Sequence, residues 1–288
     1  MMSNGLTVIV PFYNTQKQTL LQCIKSIINN SRNDFELIIV NDGSEDIKLE
    51  KAIKSINDKR IIYKKKRNGG VSSARNLGIN NSTKQYITFV DSDDEVKPNF
   101  IDTIINELKA EPDFLLFNCS YSRAGNINTY KFPNDINIDN IMSLLLCNRV
   151  PSAPWGKVYK RSIIKEENIR FDEEIRIGED LLFLFEYIKR IHTMRAINEQ
   201  LYLYKINDSG AMSNIDNRHD VLEVLHKLIT NKKNMKYITD LKTRYYYEYR
   251  NIPKNKKNGY KSIGLFEFLF NKNIRITTKI KTLMRFSR

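Results

Sequence analysis

Hydrophobic residues in the first part of the chain come in short unbroken runs, separated by stretches in which they recur every three or four positions. Leu6–Phe12 (LTVIVPF), Phe35–Asn41 (FELIIVN), residues 60–65 and Tyr86–Val90 are such runs, of the kind a strand buried on both faces requires. Between the first two, Leu20, Leu21, Ile24, Ile27 and Ile28 make one apolar stripe, which predicts a helix capped by Asn14 or Thr15 and reaching about residue 30. A second helix is expected after Asp42-Gly43-Ser44, up to about residue 57, and a third opening at Ser72 or Ser73. Strand and helix alternate four times with short connections, the pattern of a parallel, doubly wound α/β sheet. Further along, the pattern predicts a helix over residues 98–109, a strand over 114–119, a polar loop to about 137 and a helix around 140–147.

The fourth run passes directly into Asp91-Ser92-Asp93-Asp94-Glu95, four acids in five positions. In α/β folds, ligands bind just outside the carboxyl ends of the strands. Asp91 and Asp93, two apart on extended backbone, can direct their carboxylates into one small volume. That is unfavourable without a cation, and hard oxygen ligands suit Mg²⁺ or Mn²⁺. The alternative is an acidic turn before the next helix, with Pro98 in its first turn.

The other strand ends carry polar or small residues. Asp42 can accept hydrogen bonds from a base or a ribose hydroxyl, or can cap a helix from its N-D-G-S turn. Gly69-Gly70 lets backbone approach a ligand closely. Arg75, at the start of the next helix, is either a solvated residue or a planar fork for a diphosphate. No G-x-G-x-x-G follows the first strand and no G-x-x-x-x-G-K-[ST] occurs, which argues against dinucleotide oxidoreductases and P-loop enzymes.

Composition changes this picture little, and charge changes it in one place. At 288 residues and 41% hydrophobic, the chain can fill one large α/β domain plus an appendage. No apolar run of membrane-spanning length and no signal-like N-terminus is present, so the expectation is a cytosolic protein. Cys23, Cys119 and Cys147 have no metal or C-x-x-C spacing and are expected as buried free thiols. The net charge of +14 lies entirely in residues 227–288, which hold 17 Lys and Arg against Asp240, Glu248 and Glu267. A basic appendage, with no basic groove around the acidic site, argues against nucleic acid as a partner.

Together, VIVPFYN, FELIIVNDGS, NGGVSSARNLG and ITFVDSDD, in this order over residues 6–110, resemble the family 2 glycosyltransferases. The resemblance implies the GT-A fold, a Rossmann-like, mixed but mainly parallel sheet flanked by helices, here with a helical basic C-terminal extension. It further implies that Pro11, Tyr13 and Asp42 hold the nucleoside of a UDP-sugar and that Gly69 and Arg75 lie along its base or diphosphate. Asp91 and Ser92 would face the ribose and donor sugar, with Asp93, aided by Asp91, binding Mn²⁺ or Mg²⁺. The chain departs from the family at Gln16, where relatives carry an acid, and at Asn30-Ser31, where they carry Gln-Thr; small effects on nucleotide preference are expected.

The second half holds the single tryptophan, in Pro154-Trp155-Gly156-Lys157, and Gly178-Glu179-Asp180 before a helical run. Trp155 can fill a core or offer a platform to a sugar ring, and two acids at a helix start favour the macrodipole. The W-x-K and G-E-D pair resembles the family's acceptor side. It implies Trp155, Lys157 and Glu179 as acceptor contacts and Asp180 as general base of an inverting displacement. The stretch 204–213 is similar to the family's later phosphate-closing loop, with Lys205 where relatives place Arg or His. The expected division is 1–110 for the nucleotide-sugar half, 111–215 for the acceptor half and 216–288 for the basic helical extension.

Residues 276–285 space apolar groups at i, i+4, i+7 and i+8 with cations between, a basic amphipathic helix suited to an anionic membrane surface or packed on the domain. The expectation is a peripheral enzyme on the inner face of the cell membrane, acting on a glycan or lipid-linked glycan. A non-catalytic adaptor using the basic tail leaves the placement of Asp42, Asp91, Asp93 and Asp180 unexplained. A nucleotidyltransferase would carry a Gly-rich, Arg-containing loop where this chain has PFYN.

Overall fold

The computed structural model describes residues 5–29, 32–123, 126–206, 218–252, 261–274 and 278–279. Two compact units are built from interleaved segments. The first comprises Met1–Phe132, Ala153–Glu174 and Phe183–Asp208, and the second Pro133–Ser152, Ile175–Leu182 and Ser209–Arg288. These units cut across the contiguous division at 110 and 215 expected from chain order.

The first unit is a nine-stranded sheet flanked by helices. Its strands are β1 (Leu6–Phe12), β2 (Phe35–Asn41), β3 (Ile61–Lys65), β4 (Tyr86–Phe89), β5 (Glu95–Val96), β6 (Phe114–Arg123), β7 (Asn126–Tyr130), β8 (Lys157–Lys160) and β9 (Met194–Lys205). Their order is β3-β2-β1-β4-β8-β6-β9-β5, with β7 on β6. The first four strands run parallel, while β8 enters antiparallel between β4 and β6. The sheet is therefore mixed, with the parallel half where the sequence pattern predicts it. Every residue of β1, β2 and β4 is buried, as their unbroken apolar runs require.

Helices α1 (Lys17–Ile28), α2 (Ile47–Lys54), α3 (Gly70–Asn81) and α4 (Phe100–Glu107) make the crossovers and cover of this half. Leu20, Ile24 and Ile27 of α1 bury their predicted stripe in the core with Val8, Val10 and Ile39. All three cysteines are buried free thiols.

β1 and β4 pair only from Leu6↔Tyr86 to Ile9↔Phe89, whereas β1 stays paired with β2 as far as Phe12↔Asn41. The two strands thus part company at their carboxyl ends, which is where an α/β sheet opens a crevice. Pro11 lies beyond the last β4 partner, a position where its missing N–H breaks no ladder on that side.

The second unit is helical: α5 (Ile141–Leu146), the start of α7 (Glu179–Ile188), α8 (Arg218–Thr230), α9 (Ile238–Arg250) and α10 (Leu265–Phe270); α6 (Arg161–Glu166) belongs to the first. Its core includes Cys147, Tyr246, Phe268 and Ile274. Arg244 and Glu248, one turn apart on α9, are paired at 2.9 Å while buried. Among the described residues no helix is long and apolar enough to cross a membrane. Apart from residues 278 and 279, the predicted amphipathic helix at 276–285 lies outside the described residues, as do residues 207–213 of the predicted loop.

Candidate functional site

At the carboxyl ends of the parallel strands, the residues expected to cap helices instead tie loops together. The N–H of Asn14, a residue with φ of 51°, donates to Ser44 Oγ at 2.7 Å, joining the loops after β1 and β2. Thr15 Oγ1 and Ser92 Oγ share a hydrogen bond of 2.7 Å, joining the β1 loop to the acidic turn. Gln16 stands at the cap position of α1 without a side-chain bond.

Asp42 is buried at the end of β2 and likewise caps a different helix from the one its sequence context suggests. Its Oδ1 accepts from Gly69 N at 3.0 Å and from Lys66 Nζ at 2.9 Å, and its Oδ2 accepts from Gly70 N at 2.8 Å. A carboxylate at the first amides of α3 suits the helix dipole and explains why α3 starts at Gly70, ahead of Ser72. The helix that follows β2 is capped by Asp46, whose Oδ1 accepts from Leu49 N. Two glycines are needed for this arrangement. Gly70 has φ of 86°, and a Cβ on Gly43 (φ of 90°) would lie 2.6 Å from Asn68 N.

Arg75 lies one turn into α3 and is only 5% exposed, so the solvated alternative fails. Its guanidinium lies 5.2 Å above the Phe171 ring and reaches Asp91 Oδ1 at 3.4 Å. Phe171 is in turn stacked on Phe183 at 4.0 Å, and both meet Phe89 edge-on. An aromatic core under the sheet end thus holds the fork beside the acidic turn.

The acidic turn separates its carboxylates by environment. Asp91 and Asp93 are partly exposed, whereas Asp94 is fully buried. Asp94 Oδ2 accepts from Tyr202 OH at 2.6 Å and its Oδ1 from Lys205 N at 2.8 Å. Burial, reinforced by Asp91, pushes the Asp94 carboxyl up to about 8 against the pull of these two hydrogen bonds. The same field acts on the neighbours. Burial and then Asp94, Asp91 and Asp93 raise the Cys23 thiol and the Tyr204 phenol.

Trp155 is half-buried and stacks on both Tyr202 (5.0 Å, 11°) and Tyr204 (5.3 Å, 22°) of β9. Lys157 is buried, its ammonium donating to Ala153 O at 2.7 Å and Trp155 O at 3.3 Å. It shapes the loop that carries Trp155, and its ammonium is turned into that loop. Tyr13 is exposed beside the strand ends. In the second unit, Gly178 has φ of 102° and opens α7, with buried Glu179 and partly exposed Asp180 in its first turn.

The structure thus brings Pro11, Tyr13, Asp42, Gly69, Arg75, Asp91, Ser92, Asp93, Trp155 and Lys157 into the first unit, whereas Glu179 and Asp180 belong to the second. Sequence reasoning missed Lys66, Asp94 and Tyr202. Lys66 follows β3 as one of four consecutive cations, and nothing in that run singles out the one that turns inward. Asp94 is the acid next to a D-x-D pair, and Tyr202 falls in a Leu-Tyr-Leu-Tyr alternation whose only local signal is a strand.

Among the described residues no three His, Cys, Asp or Glu side chains enclose a metal. Asp91 and Asp93 are hard-oxygen groups on one turn, and Mg²⁺ is held by one or two carboxylates together with substrate phosphates. These residues fit a cation that shares its shell with a diphosphate.

Residues 7–167 match the model of glycosyl transferase family 2. The chain is 30% identical over 259 residues to glycosyltransferase GlyA of Streptococcus pneumoniae, an alignment covering 82% of this chain and 36% of GlyA. It is 31% identical to glycosyltransferase EpsJ of Bacillus subtilis, over 71% of this chain and 62% of EpsJ. It is also 31% identical to the minor teichoic acid biosynthesis protein GgaB of Bacillus subtilis, over 80% of this chain and 26% of GgaB. The chain thus spans less than two thirds of each of these relatives. The crystal structure of S. aureus TarS 1-349 in complex with UDP-GlcNAc superposes with a TM-score of 0.71 at 17% identity, covering 92% of this chain and 78% of that one.

Proposed function

This chain belongs to glycosyl transferase family 2, and from that membership we propose that it moves a sugar from a UDP-sugar to a glycan or lipid-linked glycan by direct, inverting displacement. The observation that carries the reading is the loop network at the carboxyl ends of β1, β2 and β4, where a buried Asp42, the Arg75 fork and the Asp91–Asp93 turn converge within the matched segment. UDP as the nucleotide is supported by the fold likeness to TarS, which was solved with UDP-GlcNAc. A surface-glycan acceptor is supported by the relation to GgaB, a teichoic acid biosynthesis protein.

In this reading Pro11 and Tyr13 flank the nucleoside. A carboxylate offers about four lone-pair directions, and Lys66, Gly69 and Gly70 occupy three on Asp42. The remaining direction, on Oδ2, accepts a base N–H. Gly69 and Gly70 let the ligand approach the backbone, Arg75 faces the diphosphate, and Asp91 with Ser92 faces the ribose and donor sugar. Asp93 and Asp91 would hold Mn²⁺ or Mg²⁺, which would supply charge neutralisation for the departing diphosphate. Asp180 takes the proton of the attacking acceptor hydroxyl and Glu179 orients that hydroxyl. Trp155 offers its indole to an acceptor ring, and Lys157 fixes the loop behind it.

The same reading has the basic tail hold the chain on the inner face of an anionic membrane. Supporting this, α10 holds Phe266 and Phe270 side by side (rings 4.5 Å apart) and 69% and 72% exposed, between exposed Lys261 and Lys272. Salt-sensitive co-sedimentation with anionic but not neutral vesicles is expected, and equal negligible pelleting with both would remove the membrane from the reading.

The central test is thermal shift with UDP, GDP and dTDP, each with and without Mn²⁺. A nucleotide at 100 times its Kd stabilises by about 2.7 kcal/mol, so UDP with Mn²⁺ should stand apart. Product NMR should show inverted anomeric configuration, and Asp180→Asn should leave the UDP shift intact while lowering turnover about 10²-fold. No shift with any nucleotide, or a retained configuration, would overturn the reading.

A further inference from the structure

The acidic turn is gripped from β9, a strand of which the sequence reading gave only the last two residues, Tyr204 and Lys205, a part near the donor. Tyr202 of β9, fully buried, donates its phenol proton to Asp94 Oδ2 (2.6 Å) and accepts the N–H of Asp91 (3.1 Å) on the same oxygen. Asp94 Oδ1 accepts from Lys205 N, three residues further along β9, and Asp94 N donates to Asp91 O at 3.1 Å. Both ends of the turn Asp91–Asp94 are therefore tied to one strand, and the phenol ring is clamped by the Trp155 indole at 5.0 Å and 11°.

Such a buried polar pair has a cost. A Phe facing an apolar residue would fill the space without desolvating a carboxylate, so the pair is not explained by stability. What it does supply is fixed geometry. Two carboxylates separated by one residue repel each other, and an unrestrained turn would splay them apart. The phenol fixes the backbone of Asp91 and the side chain of Asp94, on either side of Ser92-Asp93, and so sets how Asp91 and Asp93 are presented. We propose that Tyr202, acting through Asp94, is a positioning residue for donor binding, holding the Asp91–Asp93 turn in the shape that receives a divalent cation and a nucleoside diphosphate. This rests on the donor reading given above.

Tyr187 provides the matched control. It is also a fully buried tyrosine of the same unit, and its phenol also makes two bonds, accepting from Lys160 N and donating to Asp113 O. Tyr202→Phe and Tyr187→Phe remove the same atoms from similar environments, so their thermal midpoints should fall by comparable amounts. The Mn²⁺ concentration that half-saturates UDP binding should rise about tenfold in Tyr202→Phe, one lost hydrogen-bonding centre next to charge. It should stay unchanged in Tyr187→Phe. KM for the donor should follow the Mn²⁺ midpoint, with kcat changed far less. Asp94→Asn, which keeps a carbonyl acceptor for the phenol, should fall between the wild type and Tyr202→Phe.

Amide hydrogen exchange over residues 90–96, measured without nucleotide or metal, separates this proposal from the donor reading. Faster exchange there in Tyr202→Phe alone supports the tie even if the wild type binds no UDP, in which case the donor reading fails by itself. Unchanged exchange, or equal shifts of the Mn²⁺ midpoint in both Tyr→Phe variants, overturns the proposal. Should Tyr202→Phe not fold, Asp94→Asn carries the same two readouts.

Discussion

The loops that end β2 and β4 both present an aspartate buried at the carboxyl edge of the sheet, and they solve its burial in opposite ways. Asp42 is surrounded by donors: an ammonium and two amides at the start of α3. Asp94 is held by a phenol and one amide, with Asp91 and Asp93 close enough to raise it. The first loop is an ion pair and a helix cap, complete in its charge. The second crowds like charges on a turn that the phenol of Tyr202 holds in shape, an arrangement that favours a cation. Residue type alone does not separate them; the neighbours do.

The largest expected effect tests the second loop. Asp93→Asn keeps the size of the side chain but removes a charge, and should lower sugar transfer about 10³-fold while leaving the thermal midpoint in the absence of ligand nearly unchanged. Measured across Mn²⁺ concentrations, UDP binding by the variant should lose most of its metal dependence. Full activity of the variant in excess chelator would break the comparison.

A smaller effect should come from the first loop. Lys66→Met removes the cation from Asp42 but keeps the stem, and should weaken UDP binding about three- to tenfold with no change in the Mn²⁺ midpoint. If isothermal titration showed the two effects moving together, the loops would be one electrostatic unit.

The smallest effect on activity is expected at Asp113, a carboxylate at the opposite end of the sheet. Burial pushes it up, but hydrogen bonds from His192 N, the Lys160 ammonium and Thr193 N outweigh this and hold it below the usual carboxylate range. A depressed carboxyl contributes stability above its unfolded value of about 3.9 and loses it as pH falls through the folded value. Asp113→Ala should therefore cost about 2 kcal/mol at neutral pH, with the difference from wild type shrinking below about pH 4 in urea titrations. Donor KM should not move. A pH-independent difference would mean that the cost is packing and not charge.

The parallel half of the sheet was legible because its signal is local. The runs LTVIVPF and FELIIVN are buried throughout, as strands covered on both faces are. Asp42, Arg75, Asp91 and Asp93 could be picked out because strand ends are where such folds assemble sites. Their partners could not. Asn14 and Thr15 have the chemistry of helix caps, and a local rule assigns them so. In the fold they lie beside Ser44 and Ser92, which come 30 and 77 residues later.

The sequence by itself determined the strand–helix alternation, the positions of the acids at strand ends and the basic character of the last sixty or so residues, because each depends on neighbours along the chain. Only the tertiary structure decided that Lys66 turns in to Asp42, that Arg75 lies on Phe171 against Asp91, and that Tyr202 grips the acidic turn. These are contacts between residues 16 to 111 positions apart. A hydrogen bond acts over about 3 Å and requires alignment, so a one-residue change in register would turn Tyr202 to the other face of β9 and swing Arg75 about 100° around α3. That register is fixed by the whole sheet, and no segment of it carries the information alone.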